Sequence, residues 1–513
     1  MLIRFPDGKC TDAALARGDT LLDALQRAGA PLFAPCGGKG TCGHCKVTVR
    51  EDGRESTRLA CQTIARNSME VILEDQGILH VEGAEAPPPG IPAEGMGARR
   101  QDNLPLGLAV DIGTTTLVAY LTDLHTGEVL GSSGAMNPQA VFGSDVIARI
   151  EAARDPESAR AMGHGVREAI GEMAQGLCAA QGLSAATIGR IVLCGNTVMQ
   201  HLVCDLDPSG IGVFPFTAST LFGANRPIAL PCIGGTADAY FAPCVSGYVG
   251  GDITAGLLAT GIADRHTPAL FIDIGTNGEM ALGDASGILC CATAAGPAFE
   301  GAGITCGMAA LPGAVSHGSW DGNGFRLETI GGAQPKGFCG SGLLDAMACM
   351  ISAGLVDETG RISEAGEVEG IAGRFLGDAA GQRACYLDEQ RTVYLTQEDV
   401  RKVQLAKGAL RAGVETLLRT AGVSCDDVGS VFLAGGFGTH LNPTSALKMG
   451  MIPPALGPKV QSVGNAAGKG AVMLLDEGER SKIRSLTDTC EYLELSTNSL
   501  FNGLFIESMG FGE

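Results

Sequence analysis

The 513-residue chain carries 36 Lys and Arg against 56 Asp and Glu, a formal net charge of −20, so it lacks the basic footprint of a nucleic-acid binder. Its 45% apolar content can fill several cores, and at ~100–200 residues per domain the length implies more than one. The longest uncharged runs, such as residues 301–320, are broken by Gly and Pro, which argues against membrane spans. The opening Met1-Leu2-Ile3-Arg4-Phe5 meets Pro6-Asp7-Gly8 at once, without the pattern of a signal peptide. A cytoplasmic protein with no membrane or nucleic-acid partner is therefore expected, and its 18 Cys read as metal ligands and buried thiols rather than disulfides.

The first 83 residues read as one small unit. Leu2 to Phe5 is a short strand, and Asp19-Thr20 can cap a helix whose Leu21, Leu22, Leu25 and Ala28 form an apolar stripe, stopped by Gly29. Cys36, Cys42 and Cys45 follow on one loop rich in Gly, then the strand Lys46 to Val49, then Cys61, and Val71-Ile72-Leu73 closes the unit. Gly37, Gly38, Gly40 and Gly43 let the backbone close over three thiolates and donate N–H bonds to sulfur. A fourth ligand from a separate segment completes the pattern of a 2Fe–2S centre. A structural zinc site usually shows two C-x2-C pairs, and only one is present. The region resembles the 2Fe–2S ferredoxins of β-grasp fold, although the interval before Cys61 is shorter than in plant-type members. That resemblance implies Cys36, Cys42, Cys45 and Cys61 as the metal ligands. His44, between two of them, reads as solvent-facing.

Residues 84–104 hold Pro87-Pro88-Pro89-Gly90, Pro92, Gly95 and Gly97. They read as a linker, stiffened by Pro and freed by Gly, that lets the cluster move relative to the rest. From Leu106 onward strands and helices alternate, the pattern of an α/β fold.

The second part is built around a repeat. An apolar stretch from Leu106 to Val110 runs into Asp111-Ile112-Gly113-Thr114-Thr115-Thr116, and Leu270-Phe271-Ile272 runs into Asp273-Ile274-Gly275-Thr276-Asn277-Gly278-Glu279. A strand–turn–strand of this kind can aim backbone N–H groups at one concavity. Gly supplies close approach and the positive φ such a turn is expected to need, Thr hydroxyls add donors, and an acid can hold hydrated Mg2+ against a phosphate. Two copies about 160 residues apart imply two similar halves facing one cleft. Further strand-to-Gly turns stand at Gly195-Asn196-Thr197, Gly250-Gly251-Asp252 and Ala434-Gly435-Gly436-Phe437-Gly438. Asn196 and Glu300, each in a turn flanked by Gly, are candidate cleft residues. Gly464 to Gly470 hints at a P-loop but lacks its spacing and its Ser/Thr. Cys290, Cys291, Cys306 and Cys339 read as buried thiols, and His201 as a satisfied helix histidine.

Two D-x-G-T loops and a late A-G-G-F-G resemble the ASKHA superfamily of acetate and sugar kinases, heat-shock ATPases and actin, over residues 106–513. The resemblance implies lobes at 105–265 and 266–513. It implies phosphate contacts from Gly113, Thr114, Thr115, Thr116, Gly275, Thr276, Asn277, Gly278 and Glu279, and adenosine contacts from Gly435, Gly436 and Phe437. Asp111, Asp252 and Asp273 take the catalytic places, with Asp252 positioning metal and water; as a helix N-cap it would have a bland role instead. The whole arrangement resembles the reductive activators of corrinoid-dependent methyltransferases, with Gly296-Pro297-Ala298-Phe299-Glu300-Gly301, Cys339-Gly340-Ser341-Gly342 and Val463-Gly464-Asn465-Ala466-Ala467 among the shared segments. It implies ATP-dependent one-electron reduction of cob(II)alamin to cob(I)alamin on a corrinoid protein, with a 2Fe–2S cluster, ATP and Mg2+ as cofactors, a low-potential electron donor upstream, and a homodimer. The alternatives are a small-molecule kinase with a fused redox-sensing ferredoxin domain and a non-catalytic actin-like scaffold. The retained acids speak against the scaffold.

Overall fold

The computed structural model describes residues 1–5, 9–28, 32, 45–51, 53–73, 105–230, 233–301, 303–379, 381–435 and 441–511. The expected linker at 84–104 lies outside the described residues.

The N-terminal unit is a mixed five-stranded sheet in the order Cys10–Asp12, Leu2–Arg4, Glu70–Ile72, Lys46–Glu51, Arg54–Leu59. Leu2–Arg4 runs parallel to Glu70–Ile72 and antiparallel to Cys10–Asp12, the crossover that defines a β-grasp. Val47 and Val49 alternate into the core, where they meet Ile3, Val71 and the Leu21, Leu22 and Leu25 face of the helix Leu21–Arg27. That helix starts where the sequence places it. The Asp23 N–H donates to Thr20 Oγ1 at 3.2 Å, and the Thr20 N–H donates to Asp23 Oδ2 at 2.8 Å, a reciprocal cap that satisfies two orphan donors.

The remainder contains two six-stranded sheets of matching plan. In the first, Leu106–Ile112 pairs antiparallel with Thr116–Asp123, which pairs antiparallel with Val129–Met136. On its other side Leu106–Ile112 is parallel to Ile188–Gly195, which is parallel to Gly235–Phe241, and Asn225–Leu230 closes that edge. In the second, Ala269–Ile274, Gly278–Asp284 and Gly287–Thr293 repeat the antiparallel meander, and Ser430–Ala434 and Val460–Gly464 repeat the parallel extension. The motif repeat in the sequence is thus a repeat of topology. The chain folds as a β-grasp ferredoxin unit followed by an actin-like ASKHA pair of halves.

Two helices lie between the sheets. On Gly251–Thr260, Ala255 and Leu258 pack with Ala109, Val118 and Tyr120 of the first sheet, whereas Ile253 and Leu257 pack with Phe271, Ala281 and Phe432 of the second. Ala466–Met473 crosses it so closely that a Cβ on Gly470 would stand 2.0 Å from the Ala255 carbonyl oxygen. Gly470→Val therefore forces the helices apart. It is expected to lower stability by at least ~1–3 kcal/mol, the usual cost of overpacking. By contrast Gly503→Ala, on the helix Ser499–Glu507 with nothing within 4 Å of its added carbon, should be neutral or slightly stabilising. Thermal unfolding of the two variants checks the contrast.

Candidate functional site

Each D-I-G-T turn sits at the carboxyl end of the first strand of its half, with Asp111 and Asp273 penultimate in Leu106–Ile112 and Ala269–Ile274. The turns close alike: the Gly113 N–H donates to the Thr116 carbonyl at 2.9 Å and the Gly275 N–H to the Asn277 carbonyl at 3.0 Å. The expected positive φ is absent from both glycines. What requires Gly at 113 is space, since a Cβ there would lie 2.7 Å from the Thr116 oxygen. Gly278 faces the interior instead, where a Cβ would meet Leu410. Gly435, ending the strand Ser430–Ala434, passes so near the second loop that its Cβ would stand 2.4 Å from the Ile274 oxygen. Gly436 and Phe437 lie outside the described residues.

The side chains behind the loops tie the halves together. Glu300 accepts from both loops, from Thr276 Oγ1 at 2.8 Å and from Thr115 Oγ1. Two asparagines share one design. Asn196 Oδ1 caps the helix Thr197–Val203 through the Met199 N–H at 3.0 Å, while its Nδ2 donates to Thr114 Oγ1 at 3.1 Å. Asn465 Oδ1 caps Ala466–Met473 through the Gly468 N–H at 2.7 Å, while its Nδ2 donates to Asp111 Oδ2 at 2.9 Å. Arg149, 1% exposed, donates through Nη2 to the Thr114 carbonyl at 2.5 Å, and Asn137 Nδ2 donates to the Gly113 carbonyl at 2.8 Å. Asp252 is not the N-cap of its helix. Gly250 takes that place, and Asp252 Oδ1 accepts the Ile253 N–H at 2.9 Å from within the first turn.

Asp111, Asp252, Asp273 and Glu279 form one electrostatic group. Removal from water pushes Asp111 up to about 6, held back by the N–H donor of Asn465. It pushes Asp273 up to about 8, with the charges of Asp252, Asp111 and Glu300 adding to the effect. Burial first, then neighbouring carboxylates, also raises Asp252 and Glu279. Glu279 stands directly across the hairpin from Asp273. Burial lowers Arg149 to about 10, with Glu300 and Asp145 opposing the shift. Like-charged carboxylates brought together in this way call for a cation. Among the described residues no three His, Cys, Asp or Glu side chains are grouped to hold a metal ion directly.

A pH dependence follows. A carboxyl whose pKa is raised by folding stabilises the native state below its ordinary value near 4 and loses that contribution as pH rises through the raised value. For Asp111 and Asp273 the loss runs through about 6 and about 8. The melting temperature without added divalent cation should therefore fall between about pH 5 and 8.5, by about 2–4 °C per kcal/mol lost. Added Mg2+ and nucleotide should restore more at pH 8 than at pH 6.

In the N-terminal unit, Cys45 precedes the strand Lys46–Glu51 and Cys61 sits in the turn Ala60–Gln62. The hairpin register, Lys46 opposite Leu59, brings their sulfurs to 3.2 Å. Two thiols from separate segments at one point, without a disulfide, fit neighbouring ligands of one iron centre. Cys36, Cys42 and His44 lie outside the described residues. The other candidates behave as structural groups. Both His201 ring nitrogens are taken, by the Thr197 carbonyl at 2.6 Å and Ser219 Oγ at 3.0 Å. Cys290, Cys291 and Cys339 are buried, and Cys306 is half-buried.

Comparisons with known proteins agree along the whole chain. Residues 5–66 match the 2Fe-2S iron-sulfur cluster binding domain, 106–265 the RACo middle region, and 267–513 the C-terminal ASKHA domain of RACo. The chain is 31% identical to the corrinoid activation enzyme RamQ of Eubacterium limosum over 96% of each chain. It is 23% identical to the Co(II) methylated amine-specific corrinoid protein reductase of Methanosarcina barkeri, over 79% of this chain and 77% of that one. A solved reductive activator for a corrinoid, iron-sulfur protein superposes with a TM-score of 0.72 at 29% identity, over 99% of this chain and 98% of that chain.

Proposed function

The chain belongs to the family of reductive activators of corrinoid proteins, and from that membership we propose that it reduces the inactive cob(II)alamin of a methyltransferase corrinoid protein to cob(I)alamin, one electron at a time, at the expense of ATP. The observation that carries this reading is the pairing, in one chain, of a ferredoxin unit whose Cys45 and Cys61 sulfurs stand 3.2 Å apart with two acidic hairpin loops bridged by Glu300. Cys36, Cys42, Cys45 and Cys61 would hold the 2Fe–2S cluster, which supplies a one-electron carrier. Thr114, Thr115 and Thr276 offer hydroxyls, and the Gly-centred turns offer backbone N–H groups, to the phosphates of ATP. Asp111, Asp252 and Asp273 would orient hydrated Mg2+ and the attacking water, with Asn465 fixing Asp111 and Asn196 fixing Thr114.

The need for ATP has a thermodynamic reason. Each 59 mV by which a donor falls short of the acceptor costs about tenfold in a one-electron equilibrium. Nucleotide can overcome that only by binding unequally to two states of the protein. The paired sheets and the helices between them provide halves that can change their mutual setting, and the loops that face nucleotide belong one to each half.

The test is anaerobic. Reduced protein is mixed with a corrinoid protein in the cob(II) state, and the cob(I) absorbance is followed with and without MgATP. A signal that requires MgATP supports the reading. Absence of cob(I), with ATP turnover stimulated by a small hydroxylated compound, would favour the kinase.

A further inference from the structure

Glu300 holds an unusual position. It ends the short turn Pro297–Glu300 of the second half, yet its two carboxylate oxygens are divided between the halves. Oε1 accepts from Thr276 of the second loop at 2.8 Å, and Oε2 accepts from Thr115 of the first. Each is a hydroxyl donating to a carboxyl oxygen, and a hydrogen bond to a charged acceptor is roughly twice as strong as a neutral one. The same hydroxyls are the donors these loops would offer to phosphate. A carboxylate presents two acceptor oxygens on a small anionic group, much as one edge of a phosphoryl group does. The surroundings make the overlap costly, because Asp111, Asp252 and Asp273 are already crowded together and a phosphate arriving beside Glu300 would add negative charge to that crowd.

We propose that Glu300 is a gate: its carboxylate occupies a phosphate position between the two loops, holds the halves together without nucleotide, and is displaced when nucleotide binds. This rests on the reading of the loops as phosphate loops. The turn is flanked by Gly296 and Gly301, both in left-handed backbone, φ +79° and +76°; Gly301 is packed against the Met308 backbone, whereas Gly296 has nothing within 4 Å of its Cβ position and is the point at which the segment can re-aim. Displacement gives nucleotide a lever on the protein. Occupying the site releases a link between halves, which is the unequal binding to two states that coupling to electron transfer demands. Glu300 is thus a positioning residue whose contribution opposes binding, unlike the acids that would engage Mg2+.

The experiment compares wild type with Glu300→Gln, an isostere that can still accept hydrogen bonds but carries no charge. Calorimetric titration of the full chain with MgATP, MgADP and adenosine gives the affinities, and thermal unfolding confirms that each variant is folded. Glu300→Gln is expected to bind MgATP and MgADP about tenfold tighter, with adenosine unchanged. Glu300→Asp, which keeps the charge but withdraws the carboxylate by one methylene, should tighten binding less, and it carries the test if the Gln variant fails to fold. Nucleotide binding by the variant but not by wild type would also support the gate. Equal or weaker MgATP binding in the variants, or a gain that extends equally to adenosine, would overturn the gate and leave the ATP reading intact. No nucleotide binding by any of the proteins would overturn both.

Discussion

Asp273→Asn should leave a folded protein that is more stable above pH 7 and almost inactive, with ATP-dependent cob(I) formation reduced about 10²-fold or more. The two effects have one cause. Asp273 lies beside Asp111, Asp252 and Glu300, and burial plus those charges raises its pKa to about 8. Among the described residues no donor reaches its carboxyl group, whereas that of Asp111 accepts from Asn465 and that of Asp252 from the Ile253 N–H. Ionised Asp273 therefore costs the ligand-free fold stability, and the cost is repaid only when a cation arrives. The amide removes the repulsion and with it the means of orienting hydrated Mg2+. Its melting curve should lose the part of the pH dependence that runs through about 8, while that of Asp111, Asp252 and Glu279 remains, and its stabilisation by MgATP should shrink. A variant that lost activity and stability together would mean that Asp273 serves only to hold the hairpin. Stability gained where function is lost is the usual mark of an active-site charge.

Much of this site was legible because chemistry fixes residue type at fixed spacing. The two D-I-G-T loops and the cysteine pattern show plainly in the sequence for that reason, and so does the cap at Thr20. The residues with no such local pattern serve the loops from a distance. Arg149 lies in an apolar helical run, Val146–Ala152, where nothing local tells a buried guanidinium from a solvated one; its partner, the Thr114 carbonyl, is 35 residues away. Asn465 stands in a segment that reads as a deficient P-loop and as one of the stretches shared with the activators, neither of which gives its side chain a role. Its strand–Gly–Asn–helix pattern matches that of Gly195-Asn196, and the resemblance between the two junctions was the available signal. Glu300 could be named as a cleft residue from its Gly-flanked turn, but its bridge to Thr115 spans 185 residues and depends on how the halves meet. The helix Pro156–Ala180 starts where Asp155 caps it, its side chain accepting the Ser158 N–H, and Pro156 opens its first turn. In the small sheets, Ala314–Trp320 is interrupted by His317, Gly318 and Ser319, and Leu376–Ala379, Gln382–Tyr386 and Tyr394–Thr396 are short, so neither shows a sustained apolar alternation.

Cys61→Ser should abolish MgATP-dependent cob(I) formation while leaving MgATP binding within about twofold of wild type. Cys61 is expected to provide the ligand that comes from outside the Gly-rich loop. Serine can occupy its space but offers no thiolate, so the visible absorption of the reduced and oxidised cluster should weaken or vanish. Cys45, 3.2 Å away, would then face a hydroxyl. The nucleotide side should not register the change, because the ferredoxin core is closed on itself: Ile3, Leu21, Leu25, Val47, Val49 and Val71 pack with one another and, among the described residues, with none beyond Leu73. The acids, asparagines and threonines of the cleft all come from residues 111–465. Separate cores joined by a segment of Pro and Gly make the two functions separable by mutation, so coupling between them has to pass through the setting of one unit against the other. If Cys61→Ser also lost MgATP binding, that division would be wrong, and the cluster unit would have to take part in forming the nucleotide site. If it kept both its absorption and its reductive activity, the fourth ligand would have to be sought elsewhere in the chain.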